Sequence, residues 1–408
     1  MKTSESSSRK YEKPAKIPAG RGNIWEYNLW KSSHPRLYSP LKAFARLGSN
    51  IKVPGVGLIV SDASLLRETL TNPIYSKVGK GASSTLWTPI TGPTALINMD
   101  GAEHLALRRK LGPISSPRAI SELSAEIMDE PLEKLKERLL AGEEVDIVEE
   151  VSKVAGSMIC ALTGIDPSDE AVGSAVHRAH ELTNQASLKG TLTEAQVKRS
   201  KELLSALTDP VLEAYHRGDE NTVPGKMKSL GLSPEEAVGA SSAFIIAGTE
   251  TVITFIPRIV ALMIESGWLE RLKDEPERMG DVINEGLRLT VPTPVMLRSV
   301  AQDTVLGGKK VKKGQRVIML TMLACQRLEN GNEFDPDRSI PDSIGQIWFG
   351  AGSHFCIGMP LAMSQTKAFL NTLVEASKAG PVNIVSRSAV ENSLAPGYRS
   401  LTVRKATK

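Results

Sequence analysis

One segment constrains the fold more than any other: from Ser233 to about Ile264 the chain is apolar on most faces of a helix. Ser233, Pro234 and Glu236 mark its start, because an N-cap serine, a proline in the first turn and a glutamate at the third position form a capping box. A helix that is apolar on most faces is usually buried at the centre of a protein. The sequence therefore predicts a long central helix surrounded by other elements, with a kink or local break at Pro257.

The other patterns are helical through the middle of the chain and β-prone near its two ends. Apolar residues at i, i+3, i+4 and i+7 predict amphipathic helices at Ile120–Leu140, Ile147–Leu162 and Glu194–His216. Short β-prone runs predict strands at Ile51–Val53 and Gly57–Val60, within Val300–Val317, and from Val382 onward. Ser61-Asp62 caps a helix through Leu70, and Gly79–Pro93 is predicted to be a loop. The fold class is therefore mainly α with a small β-rich side (α+β).

Composition limits the classes of protein to which the chain can belong. Its 408 residues contain 4% aromatics and carry a net charge of +4, which argues against a dedicated nucleic-acid binder. The three cysteines are odd in number and widely spaced, which fits a reducing compartment. Met1–Lys16 lacks the apolar core of a signal peptide. The uncharged stretch Ala237–Thr249 has 13 residues, whereas a bilayer span needs about 20. We therefore expect a cytoplasmic protein without a membrane anchor.

The first 40 residues differ in composition from the rest of the chain. They are rich in Ser, Lys and Pro, so we expect residues 1–40 to form an N-terminal extension that begins disordered and then lies along the surface. Residues 41–408 are expected to fold as one domain, because no internal repeat or linker divides them.

The strongest chemical signal is the segment from Phe349 to Gly358, which contains Gly350, His354 and Cys356. A cysteine just before a helix N-terminus meets converging backbone N–H groups, which favour a thiolate. The closely spaced glycines let the backbone turn and let a flat ligand approach closely. A glycine-rich turn with a buried free cysteine is the alternative interpretation.

The full pattern Phe-x-x-Gly-x-His-x-Cys-x-Gly resembles the haem-binding loop of the cytochrome P450 superfamily. The resemblance covers the chain from about Ile51 to the C-terminus. It implies a single-domain fold with haem b between the central helix and this loop. Cys356 then supplies the axial thiolate ligand of the iron, which favours O–O cleavage, and Phe349, Gly350 and Gly358 lie against the cofactor.

The middle of the central helix reads Ala247-Gly248-Thr249-Glu250-Thr251. An acid followed by an alcohol in an apolar helix can form a proton relay. Alternatively, Thr251 bonds back to the Ala247 carbonyl and Glu250 forms an ion pair. The segment is similar to the oxygen-activating stretch of the family. That similarity implies that Glu250 and Thr251 deliver protons to dioxygen while Ala247 and Gly248 line the distal haem face.

Two further sets of charged residues match family patterns. Glu285 and Arg288, together with Arg338 further along the chain, resemble the structural ion cluster of the family that braces the haem loop. The resemblance also implies that four side chains hold the haem propionates: His104, Arg108, Arg298 and His354. For His104 and Arg108, a solvated basic helix face is the alternative. Arg109 and Lys110 are candidates for docking an acidic electron donor.

These resemblances imply a haem-thiolate monooxygenase, an oxidoreductase that inserts one oxygen atom from O2 into an apolar small molecule by hydroxylation or epoxidation. Electrons are expected from NAD(P)H through a ferredoxin or flavodoxin and its reductase, with the enzyme a monomer. An H2O2-dependent peroxygenase and a non-catalytic haem sensor or carrier are the alternatives. Natural-product or xenobiotic metabolism is the expected setting.

Substrate contacts are expected from several apolar segments and from two individual side chains. They are Lys80–Ala95, the face with Ala243, Phe244 and Ala247, Thr293–Leu297, Leu394–Pro396, and above all Trp87 and Met296. His177 and His180 have no complementing ligands for a metal site, so we expect a solvated helix face or the rim of a substrate channel.

Overall fold

The segment after Ser233 forms one 32-residue helix, Pro234–Glu265, in the computed structural model, which describes residues 15–17, 22–185, 192–393 and 395–406. The predicted capping box is present: the Ser233 hydroxyl accepts from the Glu236 backbone N–H at 3.2 Å, and the Glu236 carboxylate accepts from the Ser233 N–H at 2.9 Å. These two bonds satisfy N–H groups that have no partner inside the helix.

The described residues form fifteen α-helices and ten strands. The helices are α1 (Ile24–Ser33), α2 (Tyr38–Arg46), α3 (Ala63–Thr71), α4 (Ser84–Thr91), α5 (Gly101–Leu111), α6 (Pro117–Leu140), α7 (Ile147–Thr163), α8 (Asp169–Gln185), α9 (Glu194–Arg217), α10 (Val223–Ser229), α11 (Pro234–Glu265), α12 (Trp268–Arg271), α13 (Met279–Thr290), α14 (Thr321–Cys325) and α15 (Met359–Ser377). The strands are β1 (Asn50–Val53), β2 (Gly57–Val60), β3 (Tyr75–Ser76), β4 (Val145–Asp146), β5 (Val295–Val300), β6 (Thr304–Leu306), β7 (Lys309–Val311), β8 (Arg316–Leu320), β9 (Val382–Ala389) and β10 (Tyr398–Lys405).

The strands form three small sheets that pack beside the helices. The largest has the order β1-β2-β8-β5-β3, in which β2 and β8 are parallel and the other neighbours are antiparallel. A second sheet has the order β4-β10-β9, and β6 and β7 form a two-stranded ribbon. The mainly helical class with a small β-rich side is therefore confirmed, as are the predicted helices in the middle of the chain.

Helix α11 runs through the centre and packs against α7, α8, α9, α13 and α15. By length and composition it could also cross a membrane, but 67% of the window that meets this test is buried in the fold. The predicted break at Pro257 is absent, because α11 is continuous through this residue. Ile256 and Ile259 on either side are fully buried, so packing holds the two halves of the helix together where the proline removes a hydrogen bond.

Two predictions about the N-terminal third are wrong. The segment Gly79–Pro93 contains α4, although Pro89 and the many Ser and Thr residues favour a loop. Residues 24–40 do not lie along the surface as an extension: Leu29 and Trp30 of α1 are buried in the main apolar core. In both places tertiary packing outweighs a weak local preference.

The first turn of α1 is tied to α11 by a buried ion pair. Arg258 of α11 contacts the Glu26 carboxylate through Nε at 3.0 Å, and its guanidinium lies over the Trp30 ring. Both charged side chains are almost completely buried. Residues near the N-terminus therefore belong to the folded domain.

A second buried ion cluster surrounds Arg288 on α13, and we call Glu285, Arg288 and Arg338 the closed ionic cluster. Arg288 donates to both Glu285 oxygens at 2.6 and 2.7 Å. It also donates to three backbone carbonyls, at 2.8, 2.6 and 3.0 Å, which belong to Cys325, Gly331 and Glu333. Arg338 donates to Glu285 at 3.3 Å. Every N–H of the buried Arg288 guanidinium therefore has an acceptor, as a structural role requires.

Candidate active site

Cys356 stands at the end of a loop that leads directly into α15. Its backbone N–H donates to the Phe349 carbonyl at 2.9 Å, which closes the loop. Gly350 and Gly352 have φ values of +78° and +67°, in the left-handed region that glycine adopts without strain. A Cβ on Gly352 would stand 2.8 Å from the Leu70 carbonyl oxygen. The glycines thus bring the loop close to α3 and place the cysteine at the start of a helix.

The Cys356 thiol is half-buried and receives backbone donors. Burial raises its pKa, while the N–H groups of Gly358 and Met359 and the charges of Arg108 and Lys77 lower it. The predicted donors are present and lower the pKa of the thiol, although burial has the larger effect. A bound metal ion deprotonates a coordinating thiol outright, and it would supply the missing stabilisation.

Helix α11 has an exposed stretch in its otherwise buried middle. Ala247 and Gly248 are exposed although residues on both sides of them are buried, and a Cβ on Gly248 would meet nothing within 4 Å. One turn earlier, Ala243 belongs to the same apolar cluster as Ile357 and Leu361, which follow the cysteine. The loop and the helix therefore approach each other beside an open space bounded by small residues, which suits a flat ligand.

Glu250 and Thr251 adopt the contacts of the alternative interpretation. The Thr251 hydroxyl donates to the Ala247 carbonyl at 2.8 Å. The Glu250 carboxylate lies 2.9 Å from Nδ1 of His180 on α8, and this contact raises the pKa of His180. The Thr251 hydroxyl can still take part in a hydrogen-bond chain, because a hydroxyl that donates its proton still accepts through its lone pairs.

Three cationic side chains gather near the cysteine without forming an ion pair. Lys77 interacts electrostatically with both Arg298 and Arg108, and none of the three forms an ion pair with a residue in the described part of the chain. Arg298 is 4% exposed and donates to one acceptor, the Leu297 carbonyl at 2.9 Å. We call Lys77, Arg108 and Arg298 the open cationic cluster.

Loss of solvent contact lowers the pKa of both Arg298 and Lys77. Desolvation lowers the pKa of Arg298 to about 10, against a smaller raising effect of Asp100. Desolvation and the two arginines lower the pKa of Lys77 to about 8. Buried charges in proteins are normally paired, so this arrangement indicates that an anion belongs here.

Asp100, the N-cap of α5, links three parts of the chain around this cluster. One carboxylate oxygen accepts from the Ser76 hydroxyl at 2.8 Å and from the Lys77 N–H at 2.9 Å. The other accepts from the Gly101 N–H at 2.9 Å and lies 3.1 Å from Nε2 of His354. The bond to His354, followed by those to Ser76 and to backbone N–H groups, holds the pKa of Asp100 well below its usual range, although burial opposes this. Asp100 is therefore ionised, and each of its carboxylate oxygens has two hydrogen-bond partners.

The two predicted histidines stack on each other beside Asp100. The rings of His104 and His354 are 4.1 Å apart. Because an ionised carboxylate only accepts, Nε2 of His354 carries the proton that faces Asp100. Burial, His354 and the nearby cations lower the pKa of His104 to about 4, and its Nδ1 is buried without a hydrogen-bond partner among the described residues. His104 therefore has an unused polar atom at the same place as the unpaired cations.

These residues fit a haem group. A thiol at a helix start, an open space along small residues of α11, an orphaned imidazole nitrogen and unpaired cations together match an iron ligand, a flat macrocycle and carboxylate side chains. The predicted propionate-binding residues His104, Arg108, Arg298 and His354 come from three distant parts of the sequence, and the fold brings them to one place.

Comparison with known proteins gives the same assignment. The sequence profile described as Cytochrome P450 matches residues 279–383, which include the closed ionic cluster and Cys356. The chain is 27% identical over 336 residues to the erythromycin C-12 hydroxylase of Saccharopolyspora erythraea, covering 76% of this chain and 78% of that protein. It is 25% identical over 371 residues to the vitamin D(3) 25-hydroxylase of Pseudonocardia autotrophica, covering 86% and 88%. The chain belongs to the cytochrome P450 family.

The overall fold agrees with that of solved P450 structures. A mutant of P450 EryK in complex with erythromycin B superposes with a TM-score of 0.76 at 22% identity, over 92% of this chain and 98% of that one. P450BioI in complex with an acyl carrier protein that carries a fatty acid gives a TM-score of 0.77 at 18% identity, over 92% and 99%. The sequence relatives, which include two hydroxylases, identify the present chain as a haem-dependent P450 monooxygenase. Enzymes of this family generally require a redox partner such as a ferredoxin.

The other residues predicted to bind substrate or a redox partner of this P450 lie in different environments. Trp87 lies on α4, half-buried against an apolar cluster that includes Ile246 of α11. Met296 is half-buried on β5, opposite Met319. Leu394 lies outside the described residues. Lys110 forms an ion pair with Glu236 at 2.7 Å, so of the two docking candidates Arg109 is the exposed one.

Sequence reasoning missed Asp100 and Lys77. Asp100 was detectable, because an aspartate before Gly101 is an N-cap signal for the helix that carries His104. Lys77 carries no local signal: it follows a two-residue strand, and only the folded chain places it near Arg108 and Arg298.

Proposed function

We propose that this P450 is a haem-thiolate monooxygenase in which Cys356 is the axial ligand and which inserts one atom of O2 into an apolar small molecule by hydroxylation or epoxidation. One observation carries the proposal: Cys356 lies just before α15 and near the exposed Ala247–Gly248 stretch, next to cations that form no ion pair within the described part of the chain. The proposed electron source is NAD(P)H, through a ferredoxin or flavodoxin and its reductase, in the cytoplasm.

When bound, the haem supplies the activation of dioxygen and the oxidation of the substrate. The protein contributes binding and orientation. His104, Arg108 and Arg298 would hold the propionates, since each has an unused donor, and His354 would take part through its place between Asp100 and His104. Phe349, Gly350 and Gly358 line the side of the cysteine, and a Cβ on Gly358 would approach within 3.9 Å of its sulfur.

Proton delivery is assigned to Glu250 and Thr251. Because the Thr251 proton points to the Ala247 carbonyl, its hydroxyl oxygen would accept a hydrogen bond from a proton-bearing group in the open space rather than donate one. Glu250 is 14% exposed and contacts His180, whose side chain is 51% exposed. The carboxylate therefore connects solvent at α8 with the interior, and release of its contact with His180 would free it to carry a proton.

An apolar substrate is supported by the residues around the open space. Ala243, Phe244 and Trp87 contribute apolar surface from α11 and α4, and no charged side chain of α11 other than Glu250 lies near them along the helix. The named relatives act on erythromycin and on vitamin D(3). A natural product of mainly apolar surface is the substrate class that we propose.

The decisive experiment is the absorbance of the reduced protein with carbon monoxide. Thiolate ligation gives a strongly red-shifted Soret band, and we expect it in the wild type and its loss in Cys356→Ala. Cys160→Ala and Cys325→Ala are matched controls, because both thiols are buried outside the site. Retention of the red-shifted band by Cys356→Ala would overturn the ligand assignment.

A second experiment separates the monooxygenase from a peroxygenase and from a non-catalytic haem protein. Turnover is compared between NAD(P)H with redox partners and dioxygen, and H2O2 alone, using a library of apolar compounds that shift the haem spin state. We expect Thr251→Ala to lower the product formed per NAD(P)H by about tenfold or more, because proton delivery is lost while electron transfer continues. Unchanged coupling in Thr251→Ala contradicts the relay, and turnover with H2O2 alone favours the peroxygenase.

A further inference from the structure

The loop after β3 holds Lys77 in a fixed place. Its backbone N–H donates to Asp100 at 2.9 Å, and its carbonyl accepts from the Ser84 N–H at 3.4 Å. The loop is therefore pinned to the N-terminus of α5 on one side and to α4 on the other. A long side chain that leaves a pinned backbone reaches a limited volume, and this one reaches the neighbourhood of Arg298 and Arg108.

The charges at this place do not balance. Lys77 and Arg298 both face the carboxylate of Asp100, whereas Arg108 faces the sulfur of Cys356 and no carboxylate among the described residues. His354 contacts Asp100 at 3.1 Å, and His104 stacks on the His354 ring at 4.1 Å. Two positive charges are left without counterions beside the buried Arg298, which is costly unless a ligand brings two negative charges.

Bound haem carries two net negative charges. The charges of ferric iron, the porphyrin dianion and a thiolate cancel, so the two propionates are the net charge of the bound cofactor. Arg108 and Arg298 alone, set against Asp100, would leave one propionate without a counterion. With Lys77 included, the site and the cofactor are neutral together.

We propose that Lys77 is a haem-binding residue whose ammonium pairs with a propionate and completes the counterion set of Arg108 and Arg298. This inference rests on the proposed binding of haem at Cys356. Asp100 is the positioning residue for Lys77, because it fixes the backbone of the loop and leaves the ammonium free for the cofactor.

The test measures haem loss from the holoenzyme to excess apomyoglobin. Lys77→Met keeps the length of the side chain and removes its charge, and Lys77→Arg retains the charge. Lys80→Met is the matched control, because Lys80 is exposed three residues further along the same loop. We expect haem loss about tenfold or more faster in Lys77→Met, near the wild-type rate in Lys77→Arg, and unchanged in Lys80→Met.

Replacing haem with its dimethyl ester identifies the group that pairs with the Lys77 ammonium. The four proteins are reconstituted with haem dimethyl ester, in which both propionates are neutral. If Lys77 pairs with a propionate, Lys77→Met and the wild type then lose the ester at similar rates. The reduction potential of the Lys77→Met holoenzyme should also become more negative, because a positive charge near the iron favours the reduced state.

Two results would overturn the inference: haem loss from Lys77→Met at the wild-type rate, or an equal effect of the substitution with haem and with the dimethyl ester. The second result indicates a structural role or pairing with a substrate carboxylate. Failure of the proposed function is distinct, because it shows in the wild type as a reduced carbon monoxide complex without the red-shifted Soret band. A wild type that retains no haem contradicts both.

Discussion

Two arginines of this P450 are buried to a similar extent but have opposite surroundings. Arg288 in the closed ionic cluster is 0% exposed and donates five hydrogen bonds, two of them to Glu285. Arg298 in the open cationic cluster is 4% exposed and donates one, to a neighbouring carbonyl. The first guanidinium is satisfied by the chain itself, whereas the second is left to a ligand.

The difference separates structural charge from binding charge. A buried ion that is fully hydrogen-bonded braces the elements that supply its acceptors, here α13 and the segment of residues 325–338 that leads toward the cysteine loop. A buried ion without acceptors costs free energy in the absence of a ligand and returns it when the ligand binds. Arg288 and Arg298 would nevertheless look alike in a count of buried charges.

The largest effect is expected from breaking the closed ionic cluster. Arg288→Met leaves the Glu285 carboxylate buried beside Arg338 alone and removes donors from three carbonyls. We expect a loss of about 3–5 kcal/mol in the free energy of unfolding, measured by urea denaturation of the holoenzyme and the apoprotein. Arg338→Met is the control with a smaller effect, since its side chain is 12% exposed. A loss below about 1 kcal/mol in Arg288→Met would show that the cluster is not structural.

The matching substitution in the open cationic cluster should behave in the opposite way. Arg298→Met removes a buried cation that forms no ion pair in the apoprotein. We therefore expect the free energy of unfolding of the apoprotein to stay the same or to increase. Haem loss to apomyoglobin should become about tenfold or more faster, because a propionate loses its partner. Strong destabilisation of the apoprotein by Arg298→Met would erase the distinction between the two arginines.

An intermediate effect is expected at Asp100, the carboxylate of the open cluster. Asp100→Asn weakens its bonds to His354, Ser76 and backbone N–H groups, and we expect a loss of about 2 kcal/mol near neutral pH. Since the folded protein holds the pKa of Asp100 below its usual range, the stabilisation is present above the unfolded value of about 3.9 and disappears as the pH falls through the lower folded value.

The corresponding measurement compares urea unfolding of wild type and Asp100→Asn at several pH values. The difference should be largest at pH 6–7 and decrease below about pH 4. A difference that does not vary with pH would mean that the charge of Asp100 is unimportant for stability.

The smallest effect is expected for the half-exposed pair of His180 and Glu250. The raised pKa of His180 means that its stabilisation is complete below the unfolded value of about 6.5 and is lost as the pH rises through the folded pKa. Because the His180 side chain is 51% exposed, His180→Gln should cost less than about 1 kcal/mol at pH 5.5 and nothing measurable at pH 8.5. Equal effects at the two pH values would indicate packing rather than an ion pair.

Several features could be predicted from sequence because their signals are local. The capping box at Ser233 and the apolar pattern after it predict α11, and the β-prone runs around Pro54-Gly55 predict the hairpin of β1 and β2. The motif around Cys356 predicts a loop before a helix, as found. Helix α4 was missed because Pro89 and its hydroxyl residues favour a loop, whereas contacts with α9 stabilise the helix.

The sequence by itself determined the family, the long central helix and the cysteine loop that precedes α15, because each depends on residues close together along the chain. Only the tertiary structure decided which buried charges are paired. Glu285, three residues before Arg288, is a local signal that Arg298 lacks, but the three carbonyls that complete the bonding of Arg288 come from residues 325–333. Lys77 has no local signal of its own. Pairing depends on acceptors contributed by distant segments, so the charge balance of the site exists only in the folded chain.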